Sequence, residues 1–191
     1  MSTRTRTEAP RHTTYIVRNQ SERRAAVCQI AVHSTESQDI PDSRDDIRSI
    51  RNWFDNPVSN ASSHVGIDGD GHTEVWVRSN RKAWTIGAAN GFTVNIEFLG
   101  RAAQPKSAWE EAQLKEGAKW AAYWGIKYGI PMQKGYVRGI NGLCVPTKKG
   151  IIRHSDVTAA GFGDHGDPGP NFPMARFIEL AQYYKKNGWV L

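Results

Sequence analysis

Two histidines and three aspartates, His154, Asp156, Asp164, His165 and Asp167, crowd into residues 153–167 of this 191-residue chain. Glycines at 161, 163, 166 and 169 and prolines at 168 and 170 bend the backbone around them. A stretch so rich in ligand-type side chains and so poor in apolar ones makes a weak core segment and a plausible metal site. Imidazole nitrogens and carboxylate oxygens are the usual protein ligands of catalytic zinc, which takes three of them and keeps a fourth position open. Two candidates from this stretch, His154 and Asp167, need a partner from elsewhere. The best is His33, at the end of the apolar run Ala25–His33. Composition alone leaves the choice open, because the chain has six histidines. A single histidine at a strand end is more often a hydrogen-bonded surface group than a ligand. Asp156 and Asp164 are read as loop-shaping or supporting groups, and His12 and His72 as exposed and silent.

The elements that must position these groups are legible in part. Ala25–His33 is nearly continuous in apolar residues, which predicts a central strand covered on both faces. Thr93–Leu99 alternates, with Val94, Ile96 and Phe98 on one side and Thr93, Asn95 and Glu97 on the other. Tyr15–Val17 reads as a short strand. Ser63–Asp68 and Thr73–Arg78 read as a hairpin about Gly69-Asp70-Gly71. A helix is expected over 43–54, with Ser43 as cap, Asp45 and Asp46 in the first turn, and Ile47, Ile50 and Phe54 as its stripe. A capping box at Ser107–Glu110 predicts a long helix to about Tyr128. The last helix is expected over 173–186, capped by Asn171. Residues 129–150 read as a long irregular loop. Alternation of strands and helices predicts an α/β fold, a mixed central β-sheet flanked by helices. Residues 1–13, polar and patternless, read as a flexible basic tail, and 14–191 as one domain.

Bulk properties narrow the partners. The net charge is +6, which suits an anionic wall or membrane face. The basic residues are scattered and form no basic helix interleaved with aromatics, so no nucleic-acid partner is expected. No run is long and apolar enough for a membrane span, and no stable membrane association is expected. The cysteines, Cys28 and Cys144, have no metal or redox spacing. Charge without an apolar core at the N-terminus argues against a Sec-type signal peptide.

The order of short motifs adds a resemblance. Ala31-Val32-His33-Ser34-Thr35, then Asn95-Ile96-Glu97, then His154-Ser155-Asp156, then Asp167-Pro168-Gly169-Pro170-Asn171-Phe172 is similar to the zinc N-acetylmuramoyl-L-alanine amidases. That family includes phage endolysins, muropeptide-recycling amidases and peptidoglycan recognition proteins. The resemblance spans about residues 14–186, and its most specific part is the pairing of the His154 and Asp167 motifs. It implies Zn2+ held by His33, His154 and Asp167, with Glu97 as general base, at one end of the sheet. The domain of 14–191 would then be the catalytic one, and peptidoglycan the substrate. Where the family often has a lysine, two positions before the third ligand, this chain has His165, which could steady an oxyanion only in its protonated form. Ser63 stands where many relatives carry tyrosine before the histidine, and Thr85 where many carry histidine after the tryptophan. Trp84 and the 129–150 loop are expected to wall the substrate groove. The reading is completed by a monomeric phage or prophage endolysin, made in the host cytoplasm and acting on the wall after release. A cytosolic recycling amidase and a non-catalytic binding module are its alternatives.

Overall fold

The computed structural model describes residues 8–189. In chain order its elements are β1 (Thr13–Thr14), β2 (Gln20–Glu22), β3 (Gln29–Ser34), α1 (Asp45–Asp55), β4 (Val65–Ile67), β5 (Thr73–Val75), β6 (Arg81–Ala83) and β7 (Thr93–Phe98). They continue as α2 (Glu111–Lys127), β8 (Tyr136–Ile140), β9 (Leu143–Lys148), β10 (Gly150–Arg153), α3 (His154–Ala159) and α4 (Met174–Asn187). Six strands form one mixed sheet in the order β1-β5-β4-β7-β3-β10. The four strands β4, β7, β3 and β10 run parallel, and β5 is antiparallel to β4.

Both faces of the centre are closed, which is why β3 has no exposed residue. On one face Ile30, Val32, Val94, Ile96 and Phe98 pack against Leu114, Ala118, Trp124, Phe177 and Leu180 of α2 and α4. Residues of β3, β7 and β10 on the other face meet α3 and the segments between strands, with Ala31 and Ile152 beside Ile86 and Val157. At its far side the sheet needs one residue without a side chain. A Cβ on Gly66 would come within 1.9 Å of the buried Trp76 ring. Burying Phe98 and its aromatic neighbours Trp109, Phe172 and Phe177 contributes about 1.5–3 kcal/mol per large side chain.

Four expectations are corrected. Residues 129–150 are not an irregular loop: most of them form the antiparallel hairpin β8–β9. Its turn is Asn141-Gly142, both with positive φ, the dipeptide that two-residue hairpin turns favour. Ser107 does not cap α2. A short 3-10 turn covers Lys106–Ala108 and the helix begins at Glu111, because Trp109 leaves the helical path to bury itself between Phe98 and Phe172. Asn171 does not cap α4, which has Pro173 at that position. Its amide instead donates to the Gln104 carbonyl. Finally, Thr13 belongs to the sheet, pairing with Glu74, and Pro10 is buried. His12 is exposed but packs edge-on against Trp120. The rest of the expected tail, residues 1–7, lies outside the described residues.

Candidate metal centre

Parallel strands deliver their carboxyl ends to one edge of the sheet, and side chains emerging there share one crevice. β3 ends with His33 and Ser34, β7 with Glu97 and Phe98, and β10 leads directly into His154 at the start of α3. His33 and Glu97 are direct cross-strand partners, so their side chains leave the sheet on the same face. Asp167 arrives from the loop before α4. Its carbonyl accepts the Ser155 amide at 3.1 Å, and the turn after it passes so close to Ala102 that a Cβ on Gly169 would fall 2.0 Å from the Ala102 carbonyl oxygen. Only glycine fits this positive-φ position.

The result is a tight convergence. His33 Nδ1 lies 3.2 Å from His154 Nδ1 and 3.1 Å from Asp167 Oδ2, and His154 Nδ1 lies 3.1 Å from Asp167 Oδ1. All three residues are buried. Two imidazole nitrogens and a carboxylate aimed at one point repel unless a proton or cation sits among them. Ligands about 2.0–2.1 Å from a tetrahedral zinc would stand roughly 3.3 Å apart, close to the separations found here. The donor set therefore fits zinc. Burial pushes the Asp167 carboxyl upward, but hydrogen bonds from His154 and His33 and their charge overcome it and hold it well below the usual carboxylate range. Burial lowers the His154 imidazole by more than its hydrogen bond to Asp167 raises it, and the neighbouring His33 adds to the lowering. Both effects favour the forms that bind a metal, a carboxylate and a neutral imidazole.

Glu97 is buried beside this group and pushed well above the ordinary glutamate range, first by burial, then by the charges of Asp167 and Glu36. A carboxyl tuned upward in a cleft is suited to taking and returning a proton. The cleft holds about 270 Å³ and is lined by His33, Glu97, His154, His165 and Asp167, with Trp53 and Trp84 among its walls. His165 is exposed and stacks on His154, ring centroids 4.5 Å apart and planes nearly parallel. Trp84 lines the cleft as expected, whereas no residue of 129–150 does; pairing within β8–β9 carries that segment elsewhere. Trp53 was missed. It sits on α1 outside the Ile47/Ile50/Phe54 stripe and is 53% exposed, and a large aromatic on the polar side of an amphipathic helix was the available signal.

The supporting groups resolve by geometry. Asp156 accepts the Arg153 amide at 2.7 Å and pairs with Lys134, so it caps α3. Asp164 is fully open to solvent, with His165 3.9 Å away. Ser63 is buried, with no partner for its hydroxyl, and Thr85 donates to the Ser62 carbonyl. Behind the ligands lies a buried chain that sequence reading did not connect: His33 Nε2 to Asn95 Oδ1 at 3.2 Å, and Asn95 to His64 Nδ1. Burial, with Arg23 nearby, lowers His64 to about 3.

A family model described as N-acetylmuramoyl-L-alanine amidase matches residues 23–170. N-acetylmuramoyl-L-alanine amidase A of Achromobacter lyticus is 28% identical over 131 residues, 67% of this chain and 72% of that one. The fold matches that of the Staphylococcus aureus hydrolase AmiA, with TM-score 0.67, 18% identity, and coverage of 95% of this chain and 89% of that one. It also matches the endolysin amidase LysCS of Clostridium intestinale, with TM-score 0.62, 16% identity, and coverage of 92% and 98%. An AmpD derivative gives TM-score 0.63 at 18% identity, covering 93% and 98%. The expected fold and family are both borne out: the chain belongs to the N-acetylmuramoyl-L-alanine amidase family and is an amidase of peptidoglycan.

Proposed function

We propose that this amidase is a zinc enzyme in which His33, His154 and Asp167 hold the ion and Glu97 moves the proton. The convergence of those three ligands within 4.8 Å of one another, beside a carboxyl raised by burial, carries the reading. Zinc held there would acidify a water to a pKa of about 7 and polarise the scissile carbonyl. Glu97 takes the proton of the attacking water and returns it to the amine of the departing L-alanine. His165, at the cleft rim, donates to the developing oxyanion when protonated. Trp53 and Trp84 offer apolar surfaces against which the sugar and stem peptide are held.

The role that fits best is lysis of the wall by a monomeric phage or prophage endolysin, synthesised in the host cytoplasm and acting after release. Its support is the basic surface, with a net charge of +6, opposite an anionic sacculus. Among the described residues no helix is long and apolar enough to cross a membrane. The test compares intact sacculi with soluble anhydromuropeptides as substrates for the zinc-loaded chain. Release of stem peptide from sacculi is expected; cleavage of soluble muropeptides alone would replace lysis with recycling, and no cleavage of either would overturn the catalytic assignment.

A further inference from the structure

The hydrogen bonds behind His33 can be followed proton by proton, beginning at a donor that has no choice. The backbone N–H of Asn95 points at His64 Nδ1, 3.1 Å away. An amide N–H only donates, so that nitrogen carries no proton. A neutral imidazole has one proton, which must then be on Nε2, where the Arg81 carbonyl lies 3.2 Å away to accept it. Arg23 Nη2 lies 3.0 Å from the same nitrogen. Its two protons, however, are directed at the carbonyls of Arg81 and Thr93, at 2.8 and 2.9 Å, so it makes no demand on His64.

The side chain of Asn95 is the next link. Its Nδ2 lies 3.2 Å from His64 Nδ1 and its Oδ1 lies 3.2 Å from His33 Nε2. With His64 Nδ1 fixed as an acceptor, the carboxamide must turn its NH2 toward His64 and its oxygen toward His33. That oxygen only accepts. His33 therefore carries a proton on Nε2, so that losing any second proton bares Nδ1, the atom that meets His154 and Asp167. The opposite setting of the carboxamide would place NH2 against His33 Nε2, drive the proton to Nδ1 and block ligation. Asn95 and His64 are both 0% exposed, so no bulk water is at hand to substitute for a lost partner.

We propose that Asn95, set by His64, is a positioning residue that fixes the tautomer of His33 and so prepares Nδ1 for the metal. The inference rests on the zinc reading of the site, but the tautomer exists in the metal-free chain and is measured there, so each can fail without the other. Asn95 touches neither substrate nor reacting atoms; it acts through His33.

The test is two-bond 1H–15N correlation of the 15N-histidine full-length chain, zinc-loaded and after chelation, with His33→Ala and His64→Ala for assignment. A proton on Nε2 is expected for both His33 and His64 in the metal-free protein, and persists for His33 when zinc is added. Asn95→Leu, with folding checked by circular dichroism, should release the His33 tautomer. Zinc affinity in competition with a chromophoric chelator should weaken about 10–100-fold. Asn95→Asp, whose carboxylate still accepts from His33, should keep the Nε2–H form. A His33 Nε2 that carries no proton in metal-free wild type would overturn the inference without needing any variant. Zinc affinity unchanged in folded Asn95→Leu would overturn it equally.

Discussion

Two groups of carboxylates in this molecule have opposite electrostatics. In the cleft, Asp167 faces two imidazoles and is held below the ordinary carboxylate range. Around the β4–β5 turn, Asp39, Asp68 and Asp70 face one another. Burial raises Asp68 to about 6, although Arg44 is only 2.7 Å away, and neighbouring carboxylates add to the rise. Asp39 is raised as well, again first by burial. The adjoining cavity, about 600 Å³ and lined in part by Arg44, Asp70 and His72, is the larger of the two. Neither acidic residues nor volume makes the chemical site. What distinguishes the cleft is that imidazole nitrogens and a carboxylate converge on one point.

Replacing the central carboxylate in each group tests that contrast most directly. Asp167→Ala should abolish zinc stoichiometry and bring sacculus hydrolysis to background; a variant that kept full zinc content would remove Asp167 from the ligand set. Glu97→Gln, which keeps shape but not basicity, should retain zinc while kcat drops about 10²–10⁴-fold. The pH profile gives a smaller effect. Glu97 must be unprotonated to act as a base, and its raised pKa places the acid limb of kcat/KM above the usual glutamate range. Glu36→Gln removes a neighbouring negative charge and should move that limb to lower pH; an unmoved or rising limb would disconnect it from Glu97. Smallest is the change at Asp68. Its folded-state pKa, about 6, exceeds the unfolded value of about 3.9, so the folded state binds the proton more tightly. That stabilisation is present below about pH 4 and is lost as pH rises through 6. Against Asp68→Asn, which cannot ionise, wild type should lose a few degrees of melting temperature across this interval, with activity equal in the two proteins.

Sequence made the ligands legible through order and spelling, because the glycines and prolines that aim Asp167 have to lie beside it. The alternation of Thr93–Leu99 placed Asn95 and Glu97 on one face, as found, but periodicity says nothing about the histidine waiting across that face. His64 meets Asn95 only because β4 pairs with β7, a tertiary choice. The β8–β9 hairpin was legible: Asn141-Gly142 between Ile140 and Leu143 is a turn signal that outweighs the polar residues around it. The start of α2 was a different failure. Its local cap lost to the burial of Trp109, a competition that no local window displays.

The parentage of the ligands has a mechanical consequence. His33 stands 121 residues from His154 and 134 from Asp167 in the chain, so the unfolded polypeptide offers no comparable site. A cation bound by all three is a clasp across most of the sequence, closing a loop whose entropy the unfolded chain would otherwise keep. At a free concentration a hundredfold above its dissociation constant, such an ion adds about 2.7 kcal/mol to folding stability. Chelation should therefore do more than stop hydrolysis: it opens the fastening between the first long strand of the sheet and the loop that ends the catalytic cleft.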